Sequence, residues 1–371
     1  MGAFEHFSRK CIVISGAIAI ALILACIQFI SPWSEEHKMN QVTTANHSNA
    51  DPWYCSCYPS EVNDNKNTSS QEAQDAILPD DKGQASPLIV PESFNKPDQA
   101  LVDKINGNMD DKRVLIVAAA NYGMREYVYN WIESLKRTGE GEKFLVFCLD
   151  IQMYNHMVAA GYERNAATIP KSWFHDEVHS DFEEYYSIKY RIITHAKTLI
   201  VQQLLYMDVT VLFSDVDVVW LRPRLRDFML TFLQIRSKTQ VIFQQEGTDQ
   251  KVINSGFYLM RPSDDTKRLL AETIYLADTD KTLTQQGAMN AALDHVNMEL
   301  RSTGVVLLDI LHFPNGYVYF ENDWCRLHGV EPYMVHANYL IGDDKRKQLE
   351  DKGFWYVDNQ WLASIDAKVQ Q

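Results

Sequence analysis

Val211-Leu-Phe-Ser-Asp-Val-Asp-Val-Val-Trp220 is a run of β-branched and aromatic residues broken by two acids, Asp215 and Asp217. Such residues favour a strand. Side chains alternate along a strand, so positions i and i+2 share a side, and this reading predicts both carboxylates converging at the strand's end. Two partly desolvated carboxylates repel unless a cation or proton sits between them. Oxygen ligation selects Mg²⁺ or Mn²⁺, and such a metal is most useful where it also grips a phosphate. A pair of solvated acids at a strand terminus would look the same in isolation, so the rest of the chain decides.

Upstream, Val114-Leu-Ile-Val-Ala-Ala-Ala120 reads as a buried strand, residues 127–137 as a helix after an Asn121-Tyr-Gly turn, and residues 144–149 as a second strand. Strand, helix, strand with short connections predicts a parallel α/β arrangement. A long helix over 185–205 leads into the Asp215 strand; strands at 241–245 and 256–260 and helices at 264–277 and 285–296 follow. No internal repeat is present. Residues 112–371 therefore predict one α/β catalytic domain. In open α/β sheets ligands bind outside the carboxyl ends of the strands, where Asn121, Asp150, Asp215 and Asp217 all fall. Asn121 and Tyr122 can hydrogen-bond and stack a base, or simply form a turn.

Residues 11–30 are twenty successive positions without a charge, long enough to span a bilayer. Arg9 and Lys10 precede them and Glu35 and Glu36 follow, so the positive-inside bias predicts a cytosolic tail at 1–10, a transmembrane signal anchor at 11–30 and a lumenal stem at 31–111. This is a single-pass type II topology, with the catalytic domain inside the Golgi or endoplasmic reticulum. The sequons Asn46-His-Ser48 and Asn67-Thr-Ser69 agree with that side. Cys11 and Cys26 belong to the span; the Cys55-Ser-Cys57 pair can bridge two chains into a homodimer through the stem, and Cys148 reads as a buried free thiol. No spacing resembles a zinc site. The formal charge of −14 argues against a nucleic-acid partner.

Four segments in order, Phe213-Ser-Asp-Val-Asp-Val-Val-Trp-Leu-Arg-Pro223, Asn254-Ser-Gly-Phe-Tyr258, Gln286-Gly-Ala-Met-Asn290 and Val335-His-Ala-Asn-Tyr339, resemble the nucleotide-diphospho-sugar transferase domain. That domain typifies glycosyltransferase family 77, and the resemblance covers roughly residues 112–360. It implies a GT-A-like fold, a Rossmann-type mixed sheet flanked by helices, with transfer of a sugar from a UDP-sugar to a glycan or glycoprotein acceptor with retained configuration. It also implies a Mn²⁺ (or Mg²⁺) site in which Asp217 ligates directly, Asp215 serves the metal shell or the ribose, and His336 completes the site.

Several further residues are expected around this centre. Lys197 matches a family lysine near the nucleotide, though from the residues alone a solvated helix-face lysine is the better reading. Gly342-Asp-Asp-Lys345 suits a diphosphate or an ordinary helix start. Asn254, Ser255 and Gly256 can contact sugar, or form a strand entry. Similar enzymes carry Asp-Gln where this chain has Gln285-Gln286; the missing carboxylate weakens a double displacement and favours a front-face mechanism with Gln286 lining the sugar. Pro314, Gly316, Tyr317, Trp220 and Trp324 can form an acceptor platform, with core the favoured reading for Trp220. Two rivals stand beside the transferase. One is a metal-dependent phosphohydrolase drawing acids from Gly342-Asp-Asp344, and the other an inactive membrane-anchored carbohydrate-binding protein.

Overall fold

The computed structural model describes residues 90–173, 188–298 and 303–369, all within the unit Pro79–Gln371. The expected tail, the span at 11–30, both sequons and Cys11, Cys26, Cys55 and Cys57 lie outside the described residues. Among the described residues no helix is long and apolar enough to cross a membrane.

The first half runs α1 (Gln99–Asn108), β1 (Val114–Ala120), α2 (Arg125–Arg137), β2 (Phe144–Cys148), α3 (Ile151–Ala159), β3 (Ala166–Thr168), α4 (Ile188–Tyr206) and β4 (Thr210–Ser214). The second half runs β5 (Val218–Trp220), α5 (Leu225–Ile235), β6 (Val241–Gln245), β7 (Ile253–Met260), α6 (Asp264–Thr279), α7 (Gln285–His295), β8 (Val305–Leu307), β9 (Met334–His336), α8 (Gly342–Asp351) and α9 (Asn359–Val369). Seven strands make one sheet in the order β3-β2-β1-β4-β7-β6-β8. The four strands β3, β2, β1 and β4 are parallel, β7 runs antiparallel to both its neighbours, and β6 pairs parallel with β8. The fold is mixed α/β, with helices on both faces.

Every residue of β1 is buried, as a strand covered on both faces requires. Strand alternation sorts the core into two layers. Leu115, Val117 and Ala119 join Val211, Phe213, Val241, Phe243 and Tyr258 beneath α4, α6 and α7. Val114, Ile116 and Ala118 join Leu212, Ile242, Phe257 and Leu259 beneath α2 and α5.

Two expectations change. Residues 99–108, read from sequence as stem, form α1; the Asp98 carboxylate accepts from the Leu101 amide at 2.8 Å, and Leu101 and Ile105 are buried in the core. Two apolar anchors in a polar helix leave little periodicity to read. Second, the run from Val211 to Trp220 is two strands in two sheets. β4 ends at Ser214, the Val218 amide closes a turn on the Asp215 carbonyl at 3.2 Å, and β5 leaves to pair with β9 in a two-stranded sheet. Asp215 and Asp217 flank this turn, so strand alternation does not set their shared direction.

Candidate active site

The break between β4 and β5 sets the site. β4 runs beside β7, and the Asp215 amide donates to the Gly256 carbonyl at 2.6 Å. β5 pairs Val218 with His336, and the Ala337 amide donates to the Asp217 carbonyl at 3.0 Å. Each acid is thus held by a different backbone partner, and β9 delivers the imidazole. One donor atom from each of Asp215, Asp217 and His336 falls within 4.8 Å of the others, with His336 Nε2 3.2 Å from Asp217 Oδ1. Gly256 lies against this cluster: a Cβ there would meet His336 Cε1 at 2.6 Å and Asp215 Oδ2 at 2.7 Å. Close approach, not an unusual backbone angle, requires glycine at this point.

Two lysines flank the acids. Lys197, from α4, donates to Asp215 Oδ1 at 2.5 Å, and Lys345, from α8, donates to Asp217 Oδ2 at 2.6 Å. Burial pushes the Asp217 carboxyl up, but the Lys345 ammonium and then His336 outweigh it and hold the group well below the usual carboxylate range. The cation demanded by two desolvated carboxylates is therefore supplied here by ammonium groups. Two carboxylates and an imidazole are also a donor set that fits a divalent metal ion. Gly342 opens α8 at φ +55°, so the segment expected either as a diphosphate loop or as a helix start is a helix start that aims Lys345 at Asp217. Asp343 and Asp344, the further acids of the phosphohydrolase reading, are exposed.

Beside the triad, an irregularity in the β6–β7 pairing brings a second set of groups together. Register shifts between Phe243 and Gln244, so that Gln244 faces Asn254 while Phe243 faces Tyr258. The Asn254 side chain accepts from the Gly256 amide at 2.8 Å and donates to the Glu246 carboxylate. Gln286 accepts from the Ser255 amide at 3.0 Å and donates to the same Glu246 oxygen at 3.3 Å. Gln285 turns inward, accepting from the Ser255 hydroxyl at 2.7 Å and donating to the Thr198 hydroxyl at 3.0 Å. The structure thus joins Asn254 and Gln286 through Glu246, a carboxylate that the sequence reading did not single out. Its sequence signal was weak, because it follows Gln244 and Gln245, the polar end of β6.

Asn121 is buried directly after β1. The Tyr122 amide donates to Asp150 Oδ2 at 2.8 Å, its hydroxyl donates to Asp366 of α9 at 3.3 Å, and the Arg125 guanidinium lies 4.6 Å from its ring centre. Asp150 also caps α3, accepting from the Met153 amide at 2.7 Å. Tyr127 was also missed; burial raises its phenol pKa, and the nearby Asp217 carboxylate adds to the rise. Of the expected platform, Trp220 is core, 1 % exposed. Gly316 is packed on the Asn338 backbone, while Tyr317 clusters with Trp324 and with Tyr339, which sits at φ +67°.

The sequence profile of the nucleotide-diphospho-sugar transferase family matches residues 140–349, more than half of the chain and the whole span from β2 to Lys345. The chain belongs to that family. As a nucleotide-diphospho-sugar transferase it is a glycosyltransferase by class. It is 24% identical over 284 residues to a UDP-galactose:fucoside alpha-3-galactosyltransferase of Dictyostelium discoideum, covering 66% of this chain and 43% of that protein. It is 26% identical over 284 residues to UDP-D-xylose:L-fucose alpha-1,3-D-xylosyltransferase 1 of Arabidopsis thaliana, covering 69% of this chain and 74% of that one. The chain thus spans less than half of the first relative and about three quarters of the second. Among solved structures it is similar to the glycosyltransferase GlyE of Streptococcus pneumoniae TIGR4, with TM-score 0.44 at 16% identity, covering 69% of this chain and 64% of that one.

Proposed function

We propose that this protein is a metal-dependent, retaining glycosyltransferase of GT-A type that moves a sugar from a UDP-sugar to a glycan or glycoprotein acceptor in the secretory pathway, in the Golgi or endoplasmic reticulum. The observation that carries this reading is the convergence of Asp215, Asp217 and His336 between Lys197 and Lys345. The membrane anchor and lumenal stem expected from the sequence support the location; the relatives' names, two of them UDP-sugar enzymes acting on a fucoside or L-fucose, support the donor class and a deoxyhexose-bearing acceptor.

Asp215, Asp217 and His336 would hold Mn²⁺ (or Mg²⁺), the carboxylates suiting either ion and the imidazole the softer Mn²⁺. When bound, the metal neutralises charge on the leaving diphosphate. Lys345 and Lys197 do the same from the protein side, exchanging their carboxylate partners for phosphate oxygens. Asn121 and Tyr122, at the carboxyl edge of the adjacent strand, suit the base. Asn254 and Gln286 line the sugar. Gln285 faces inward and carries no charge, which suits a front-face reaction: the acceptor oxygen bonds to the anomeric carbon as the bond to the diphosphate breaks, and the acceptor proton passes to the departing diphosphate.

Incubating the full-length protein with a panel of UDP-sugars and fucoside acceptors in Mn²⁺ tests the reading. It predicts UDP release with one preferred donor and a product of retained anomeric configuration by NMR. An inverted product, or no turnover of any UDP-sugar, would overturn it.

A further inference from the structure

Gln244 is fully buried at the register shift of β6, and its Nε2 donates to the Phe313 carbonyl at 3.1 Å. Turning the amide over would set its oxygen against that carbonyl, acceptor to acceptor, so the orientation is fixed. Its Oε1 then lies 2.8 Å from Nδ1 of His336, itself 2 % exposed. An amide oxygen only accepts, so Nδ1 must carry the hydrogen. In the neutral ring the lone pair is consequently on Nε2, the atom that faces Asp217 Oδ1 at 3.2 Å.

We propose that Gln244 is a positioning residue that fixes the tautomer and orientation of His336, and thereby makes Nε2 available as a metal ligand. This rests on the metal reading of the Asp215, Asp217 and His336 cluster. It accounts for a polar side chain on a strand whose first three residues are apolar, at a depth where an unpaired amide is costly. It also gives the register shift a task. The bulge is what aims Gln244 at residue 336, ninety-two positions along the chain. Without the amide oxygen, the ring is free to carry its hydrogen on Nε2 and donate to Asp217, which closes the ligand position.

The test is Mn²⁺ binding to full-length protein, followed by titration calorimetry, alongside thermal melting. Gln244→Leu keeps the volume and removes the acceptor, and is expected to raise the Mn²⁺ Kd by about 10–100-fold. Gln244→Glu restores an acceptor for Nδ1–H while losing donation to Phe313; it is expected to lower the melting temperature yet keep Kd within about threefold of wild type, a split that a packing role would not produce. Should the Leu variant not fold, Gln244→Met replaces it with the same expectation. A folded Leu or Met variant with wild-type Kd, beside a His336→Ala control that binds weakly, overturns the role of Gln244 and leaves the metal reading standing. Wild-type protein that binds no Mn²⁺ overturns both.

Discussion

Lys345 Nζ lies 2.6 Å from Asp217 Oδ2, joining the first turn of α8 to the loop between β4 and β5. The side chains are 17 % and 11 % exposed, so the pair is shielded from the solvent screening that makes surface ion pairs nearly worthless. The ammonium proposed to meet the leaving diphosphate here pairs with a carboxylate.

The pair has a pH signature. The Asp217 pKa is depressed in the folded protein, chiefly by Lys345 working against burial, so its contribution to stability is present above the unfolded carboxylate value of about 3.9 and is lost as pH falls through the folded value. In Lys345→Met the burial remains and its main opponent is gone, so the Asp217 pKa rises. With EDTA present, urea melts are expected to show the variant less stable than wild type above about pH 5, with the gap closing in stronger acid. A gap that stays constant from pH 7 to pH 3 would contradict this.

Glycine at 256 is expected to be essential to the cluster. Gly256→Ala places a methyl group 2.6 Å from His336 Cε1, and overpacking of this kind costs about 1–3 kcal/mol. Side chains can yield, so the variant should fold, with weakened Mn²⁺ binding. Gly316→Ala meets the Asn338 carbonyl oxygen at 1.7 Å, an obstacle in the backbone itself, and is expected to be the more destabilising of the two in urea melts.

Gln285 and Glu246 are expected to separate stability from rate. Gln285→Ala strands the Ser255 and Thr198 hydroxyls and should cost about 1–3 kcal/mol in urea, with turnover of the folded protein largely kept. Glu246→Gln removes the charge shared by Asn254 and Gln286 beside the triad, and is expected to lower kcat on the order of 100-fold with little change in melting temperature. Equal effects on both measurements would argue against the division.

Much of the scaffold was legible because its signals are local. The buried strands β1 and β2 are continuous apolar runs, β6 opens on one, and α6 and α7 carry helical spacing, so their positions agree to within a few residues. Asp215 and Asp217 stood out as charges in an apolar run, yet the reason offered, alternation along one strand, fails at the turn that divides β4 from β5. What brings His336, Lys345 and Gln244 to them is pairing across 92 to 128 residues, and no local pattern encodes such register. Lys197 was reached only through family resemblance, and Lys345 only as part of a glycine turn that suited a diphosphate and a helix start alike, since a lysine on a helix carries no distinguishing signal of its own. Glu246 was passed over because polar residues commonly end strands.

The central claim is that Asp217 holds a metal on which sugar transfer depends. The most direct test compares UDP release from the preferred UDP-sugar by full-length wild type and Asp217→Asn, each with Mn²⁺ and with EDTA, after melting curves have established that both are folded. The account predicts turnover by wild type in Mn²⁺, its loss in EDTA, and a rate in the variant lower by about 10³-fold or more whatever the metal. Wild-type turnover that survives EDTA, or a folded variant that keeps the wild-type rate, would contradict it.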